Sequence, residues 1–457
     1  LQKVDAEKAK QLIEEEFYLE IEAKWLEKIE IEENLAVIAI VGENMKRTPG
    51  VSGKLFNALG RNGINVHAIA QGSSEYNISV VINGKDLSKA LNSVHDAFFV
   101  SLNKTINVFN VGIGNIGATL LKQLHNQKEF LASDNDIEIK LVGLSNSKKM
   151  VFNENGIDLE KWKNELDHSS VQADLDLFVQ QMKEMNLPNC VFIDNTASDV
   201  VPKLYKTVFE ANVSIVTCNK IANSSSYQTY AELKDTARKH GVDYLYETNV
   251  GAGLPVVRVL KDLLMSGDKI LKMEAILSGT ISYIFNHFVG DKTFGEVVKE
   301  AQDLGYTEPD PRDDLSGVDF MRKMLILARD TGYHIEAEEV ELDAILPKSC
   351  LEADSVENFY QALKDENAYF ENLKNEAKAA NKVIRYIGIL KDGKISISLE
   401  MVDEAHPFYS LSGSDNVISF TTARYQIRPL VIKGPGAGAE VTAAGVFADL
   451  INISSIR

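Results

Sequence analysis

Cysteine is scarce in this 457-residue chain: only Cys190, Cys218 and Cys350, an odd number set far apart. That argues against a disulfide-built scaffold and suits the reduced thiols of a cytoplasmic protein. Long apolar runs are missing too, and none approaches the ~20 residues needed to cross a bilayer. The first stretch, rich in Glu and Lys, carries no secretory signal. Positive charge is in deficit: Lys and Arg number 48 against 66 Asp and Glu, a net charge of −18. Non-specific nucleic-acid and anionic-membrane binding both need a basic surface, so neither partner is expected. The 8 histidines are scattered, and with no HExxH and no CxxC nothing points to a transition metal. What remains is an ordinary globular balance, 45% hydrophobic and 25% charged, in a chain long enough for roughly two to four domains.

The chain begins at Leu1, not Met, and in mid-pattern. Asp5 is placed to cap a helix running to about Phe17, with no strand before it to pack on. The start therefore reads as the tail of a larger polypeptide. From Leu35 the pattern is regular: strands at 35–41 (LAVIAIV), 64–70 and 77–82, helices at 51–62 and 87–99. This βαββα order makes residues 1–103 a small α+β segment lacking one strand, to be supplied by 21–31 or by chain further upstream.

From residue 104 the grammar changes. A short apolar strand at 106–111 runs into Gly112-Ile113-Gly114-Asn115-Ile116-Gly117 and then a helix to about Gln127. Strands follow at 137–144, 190–193, 214–217 and 244–246 with helices between them. Such alternation indicates an α/β fold, a Rossmann-type doubly wound parallel sheet, over 104–250. Past Gly253 strands become fewer and helices dominate, through an α+β domain at 251–433.

The GxGxxG spacing sits between a strand and a helix, the context that dinucleotide binding needs. The first glycine permits a tight turn, the second a close approach to pyrophosphate, the third close helix packing, and the helix N-terminus offers free N–H groups. An NAD-type site usually ends its second strand on a carboxylate. Here that strand ends in Ser145-Asn146-Ser147-Lys148-Lys149, whose ammonium groups lean toward the 2′-phosphate of NADP, with NAD still open. Thr196, in DNTAS, and Asn219-Lys220, in VTCNK, fall just past other strand ends, where a nicotinamide would lie. A second glycine run, Gly434 to Gly438 and Ala439, precedes a C-terminal helix. It either brings another helix N-terminus to the cofactor or is a flexible return by which 434–457 completes the nucleotide domain.

The densest polar stretch is 305–319, GYTEPDPRDDLSGVD. Its prolines are expected to keep the first part extended, and Ser316 to cap the following helix. Asp319 and Lys323, four apart, share one face of that helix. Met321, Met324, Leu325 and Leu327 make it largely apolar. A lysine beside carboxylates in such surroundings can shuttle a proton at an alcohol or carbonyl oxygen, while carboxylates hold an ammonium-bearing substrate. Between the domains, 246–255 (YETNVGAGLP) offers Glu247 and backbone carbonyls as hard oxygen ligands for a weakly held cation, or is simply a tight hinge.

GIGNIG, GLSNSK, ETNVGAGLP, ILSGTISYIF, GYTEPDPRDDLSGVDFMRK and GAGAEVTAAGVFADL together make residues 104–457 resemble homoserine dehydrogenase. The whole chain resembles the C-terminal part of bifunctional aspartate kinase–homoserine dehydrogenases. EEFYLEI and INVHAIAQGSSE resemble that family's ACT-type regulatory segment, with the kinase domain absent and the regulatory part truncated. The resemblance implies reversible hydride transfer between L-homoserine and L-aspartate 4-semialdehyde in a homodimer or higher homo-oligomer. It implies Lys323 as proton donor and acceptor, with Lys220 as a second lysine near the nicotinamide. It gives Glu308, Asp314 and Asp319 to the substrate, and Glu247, Val250, Ala252 and Leu254 to a monovalent cation such as sodium. Asn65 and Gln71 match positions where threonine, as effector, would be contacted.

Two rival readings have definite requirements. A phosphorylating semialdehyde dehydrogenase needs an activated cysteine thiolate, for which only Cys218 is placed; Cys190 lies in an apolar strand and Cys350 in a helix-flanking turn. A non-catalytic module retaining the fold is countered by the presence of Gly114, Asp319 and Lys323.

Overall fold

The computed structural model describes residues 3–98 and 104–456. It divides into two compact units, one running to Lys104 and taking in Asn186–Pro188, the other made of Thr105–Met185 and the chain from Asn189 onward. Among the described residues, no helix is long and apolar enough to cross a membrane.

The first unit opens with helix α1 (Lys3–Glu16), so Asp5 lies in its first turn and does not cap it. Strand β1 (Leu35–Val41), helix α2 (Val51–Arg61), strands β2 (Val66–Gln71) and β3 (Asn77–Asn83) and helix α3 (Leu87–Phe98) follow. Phe99, the expected end of α3, lies outside the described residues. The sheet is antiparallel, in the order β1-β3-β2, with three strands. No fourth strand comes from 21–31: its first residues finish the helix Tyr18–Glu22 and the rest forms none. Burial alternates along β1 and β3 because one face packs on the helices. Ile38, Ile40, Leu55, Leu59, Ile78, Val80 and Ile82 make that core.

The second unit carries two six-stranded sheets. The first uses β4 (Lys104–Val111), β5 (Ile137–Ser145), β6 (Met150–Phe152), β7 (Cys190–Asp194), β8 (Ser214–Thr217) and β9 (Tyr244–Leu245). Their order is β6-β5-β4-β7-β8-β9, with β4, β7, β8 and β9 parallel and β6 antiparallel at the edge. All five residues of β7 are buried, as a strand covered on both faces requires. Helix α4 (Asn115–Asp134) outruns its expected end by two turns, carrying Leu131 into the core. Of the later helices of this half, three bear on the site: α5 (Ile221–Ser224), α6 (Tyr227–His240) and α7 (Val256–Met265).

Beyond Gly253 strands do not thin out. β10 (Ile270–Ile276), β11 (Glu341–Leu342), β12 (Val383–Lys391), β13 (Lys394–Val402), β14 (Asp415–Thr422) and β15 (Leu430–Pro435) form a second sheet, ordered β11-β13-β12-β10-β14-β15. β12–β13 and β14–β15 pair as neighbours in sequence, but β10 reaches β12 and β14 only across the helices 279–379, which masked the sheet. Three of those helices matter here: α8 (Gly279–His287), α9 (Pro311–Leu315) and α10 (Val318–Asp330). The last helix, α11 (Ala439–Ile456), returns to the first sheet, where Ala443, Val446 and Leu450 pack with Leu120, Leu121 and Leu124 of α4.

Candidate active site

Strand order reverses between β4 and β7, and the carboxyl ends of those two strands meet at the GIGNIG turn. Gly112 leaves β4 with a φ of 91°, and a Cβ on it would lie 2.7 Å from Thr196 Cγ2. A Cβ on Gly117 would stand 2.1 Å from the Gly112 carbonyl oxygen, so α4 can approach β4 only with glycine there. Gly114 differs. It is the exposed N-cap of α4, and a Cβ on it would meet no protein atom within 4 Å. Beneath the turn lies a buried amide pair that the sequence reading missed: Asn110 Nδ2 donates to the Gly112 carbonyl at 3.0 Å, and Asn195 Nδ2 to Asn110 Oδ1 at 2.8 Å.

Asp194, fully buried at the end of β7, organises the neighbouring strand ends. Its carboxylate accepts from the Tyr205 hydroxyl at 2.7 Å, the Thr196 N–H at 2.8 Å and Asn219 Nδ2 at 3.1 Å. Burial pushes its carboxyl above the usual range, against the pull of these donors. Thr196 and Asn219 are thereby brought within 3.4 Å of each other. A carboxylate closing an otherwise apolar strand, in CVFID, was the available signal for this network. On the other side of the turn, the Gly112 N–H donates to the carbonyl of Ser145 at 2.9 Å. Asn146 Oδ1 caps the next turn, accepting from the N–H groups of Lys148 and Lys149. Lys149 turns its ammonium onto the Asp167 carbonyl, whereas Lys148 is exposed.

The second cluster forms on α10. Gly317 starts the helix with a φ of 73°, and a Cβ there would lie 2.6 Å from the Tyr386 hydroxyl oxygen. Ser316 is therefore not the cap; its hydroxyl donates to the Asp313 carbonyl at 2.8 Å and accepts from the Val318 N–H at 3.3 Å. Nor do the prolines hold the preceding stretch extended throughout, because Pro311 opens α9 behind an Asp310 cap. Asp319 and Lys323 form the expected ion pair at 2.8 Å. Lys323 is buried and also donates to the Leu277 carbonyl at 2.7 Å. Lys220, at the start of α5, reaches the other oxygen of Asp319 at 3.2 Å. One carboxylate thus holds two ammonium groups. Burial pulls the Lys323 ammonium below the ordinary lysine range; Lys220 adds to that, and Asp319 opposes it. Burial pushes Asp319 upward, but the two ammonium groups reverse this and hold its carboxyl well below the usual range.

Asp314 and Glu308 complete the rim. Asp314 Oδ2 accepts the Glu308 N–H at 2.8 Å, and Oδ1 accepts the Thr280 hydroxyl at 3.1 Å. Thr280, in the first turn of α8, was not foreseen. Burial raises the Asp314 carboxyl, with Glu308 and Asp319 adding to it, while the Glu308 side chain is exposed.

The 246–255 turn packs directly under α11: a Cβ on Gly253 would stand 2.3 Å from the Val441 carbonyl oxygen. Gly251 and Ala252 both have positive φ, which folds the turn around Val250 and Leu254. Glu247 is buried and accepts the N–H groups of Val257 at 2.6 Å and Arg258 at 2.8 Å, so it also caps α7. At the start of α11, Gly438 has a φ of 120° and accepts the Thr442 N–H. Cys218 is the one cysteine near these groups, and burial, with Asp194 beside it, pushes its thiol up to about 12. Cys350 is buried inside the short helix Lys348–Leu351, not in a turn.

In the other unit, Gln71 lines a cavity of about 380 Å³ with Arg47, Ser52 and Glu75. Asn65 precedes the six-residue β2 and Gln71 ends it, a separation of roughly 20 Å at ordinary strand rise. In one copy they cannot touch the same small amino acid.

Comparison with known proteins agrees with this architecture. The chain matches the profiles described as homoserine dehydrogenase over residues 255–451, homoserine dehydrogenase, NAD binding domain, over 112–247, and ACT domain over 38–98. It is 43% identical to a chloroplastic bifunctional aspartokinase/homoserine dehydrogenase 2 of Arabidopsis thaliana, over 95% of this chain and 48% of that protein. The chain thus spans about half the length of such curated relatives. It is 38% identical to homoserine dehydrogenase of Schizosaccharomyces pombe, covering 77% of this chain and 96% of that one. A Candida auris protein of unknown function has a solved structure that superposes with a TM-score of 0.72 at 38% identity, over 77% of this chain and 99% of that one.

Proposed function

This chain belongs to the homoserine dehydrogenase family, and from that membership we propose that it interconverts L-homoserine and L-aspartate 4-semialdehyde with a nicotinamide dinucleotide. The observation that carries the reading is Asp319 holding Lys220 and Lys323 together beside the carboxyl ends of a doubly wound sheet.

A nicotinamide dinucleotide, when bound, accepts or returns the hydride. The residues that would hold it are those of the 112–117 turn, Ser145, Lys148, Thr196, Lys220 and Gly438. Gly114 fits this role best, since nothing within the protein demands glycine there, whereas a pyrophosphate approaching the α4 N-terminus would. The end of β5 offers no carboxylate, and Lys148 stands exposed just past it, which favours NADP.

Lys323 takes the hydroxyl proton of homoserine as the alcohol is oxidised and returns it to the aldehyde oxygen in the reverse direction. Burial lowers its affinity for a proton, the direction a group that must release and regain one needs. Asp319 orients Lys323, and Lys220 is the alternative proton carrier. Glu308, Asp314 and Asp319 would face the substrate's ammonium group, with Thr280 and Asp314 fixing the Glu308 loop. Glu247 and the carbonyls of Val250, Ala252 and Leu254 make a hard-oxygen set with one negative charge, which suits a singly charged ion such as sodium. Turnover titrated with sodium chloride against tetramethylammonium chloride tests that assignment. The ACT domain at 38–98 would sense an amino acid, threonine by our reading, and the enzyme would act as a homodimer or larger oligomer in the cytoplasm.

The test is nicotinamide reduction by L-homoserine with NAD⁺ and NADP⁺ in parallel, with and without threonine. Turnover, faster with NADP⁺, is expected. A folded sample that binds nucleotide yet leaves both cofactors oxidised would overturn the substrate assignment.

A further inference from the structure

Arg329, next to last in α10, is 3% exposed. A buried guanidinium is costly unless every donor is satisfied, and here each contact is a specific one. Nη1 donates to the carbonyls of Asn223 at 3.0 Å and Ser225 at 2.6 Å. Nε and Nη2 donate to the Ile335 carbonyl at 3.1 and 2.9 Å, and Nη2 also meets Glu336 Oε2 at 3.0 Å.

Asn223 and Ser225 belong to the carboxyl end of α5, the four-residue helix that Lys220 begins. The Ser224 N–H and hydroxyl both bond the Lys220 carbonyl, at 3.0 and 2.9 Å. A closed loop results. The far end of α10 grips the far end of α5, while the near ends of the same two helices meet as Asp319 and Lys220. Asp330, the next residue, gives α10 a second anchor, accepting the hydroxyls of Tyr246 at 2.6 Å and Tyr230 at 2.9 Å.

We propose that Arg329 is a positioning residue: by holding the Asn223 and Ser225 carbonyls it sets Lys220 against Asp319 and so fixes how Asp319 is shared between Lys220 and Lys323. This rests on the reading of Lys323 and Lys220 as the proton-handling pair. The charged groups that bear on Lys323 are Asp319 on its own helix, Lys220 from α5 and Asp314 from α9, besides the Leu277 carbonyl it bonds.

The experiment follows the Lys323 ¹³Cε resonance with pH in lysine-labelled full chain, assigned with Lys323→Arg. In Arg329→Met, Lys220 is released, its like charge leaves Lys323, and Asp319 serves Lys323 alone. The Lys323 midpoint is expected to rise by about one pH unit, with Arg329→Lys returning it part of the way. In a Lys220→Met background the same Arg329→Met change should add no further shift, since coupled residues are not additive. An unmoved midpoint in Arg329→Met, or an equal shift with and without Lys220, overturns the proposal. Should Arg329→Met not fold, Glu336→Gln weakens one partner of the guanidinium; a smaller rise supports the proposal and none overturns it. Because the resonance is read without turnover, a wild type inactive on homoserine would remove the substrate assignment and leave this test standing.

Discussion

Lys220 Nζ lies 3.2 Å from Asp319 Oδ1, an ion pair between a loop at the end of β8 and the first turn of α10. Asp319 also holds Lys323, so two ammonium groups distant in the chain share one carboxylate.

Lys323→Met should leave the fold and nucleotide binding intact while turnover falls by about a hundredfold to ten-thousandfold, the usual worth of a positioned acid–base group. Cofactor fluorescence titration and initial rates on homoserine check both halves. Lys220→Met losing as much or more, with Lys323→Met nearly active, would transfer the proton role to Lys220.

Homoserine oxidation needs the base deprotonated. Burial lowers the Lys323 pKa, so kcat/KM should rise with pH and reach its midpoint below the ordinary lysine value of about 10.4. The sign follows from desolvation, which disfavours the charged form of lysine. A pH–rate profile whose only inflection lies at or above that value contradicts this assignment.

Gly114→Ala and Gly117→Ala should separate ligand from scaffold. The first meets no protein atom and should fold normally, with dinucleotide affinity reduced by about tenfold or more. The second drives a methyl into the Gly112 carbonyl at 2.1 Å and should lower the melting temperature as well. Equal affinity in Gly114→Ala and wild type would place the pyrophosphate elsewhere.

Lys148→Gln should narrow any preference for NADP⁺ over NAD⁺ by about tenfold, the scale of one charge-assisted hydrogen bond. The ratio of kcat/KM values for the two cofactors measures it. A ratio unchanged by the substitution means that Lys148 is only a solvated turn residue.

Cys218→Ala should retain homoserine turnover. Burial, with Asp194 beside it, pushes its thiol up to about 12, away from the thiolate that a phosphorylating semialdehyde dehydrogenase requires. Abolished activity in a folded Cys218→Ala sample would revive that rival.

Much of the nucleotide half was legible in advance because its signals are local. GIGNIG lies between an apolar strand and a helix, and the runs at 190–194 and 214–217 are short and apolar, as strands buried on both faces must be. The second sheet was hidden for the opposite reason: β10 pairs with β12 and β14 across more than a hundred residues of mostly helical chain, and no local periodicity reports such pairing. Ser316 illustrates a smaller miss. Its residue type suits a cap, yet the backbone reverses at Gly317, where Tyr386 from another strand leaves no room for a side chain.

The site divides along the same line. Sequence by itself determined the glycine turn, the Asp319–Lys323 face and the chemistry those residue types permit, because each depends on neighbours within a few positions. Only the tertiary structure decided that Lys220 shares Asp319, that Leu277 offers Lys323 its carbonyl and that Asp194 gathers Thr196 and Asn219. It alone separates Asn65 from Gln71 by the length of a strand. Desolvation and charge proximity, which set the proton affinities of Lys323 and Asp319, are properties of what surrounds a group in space, and the order of residues along the chain does not carry them.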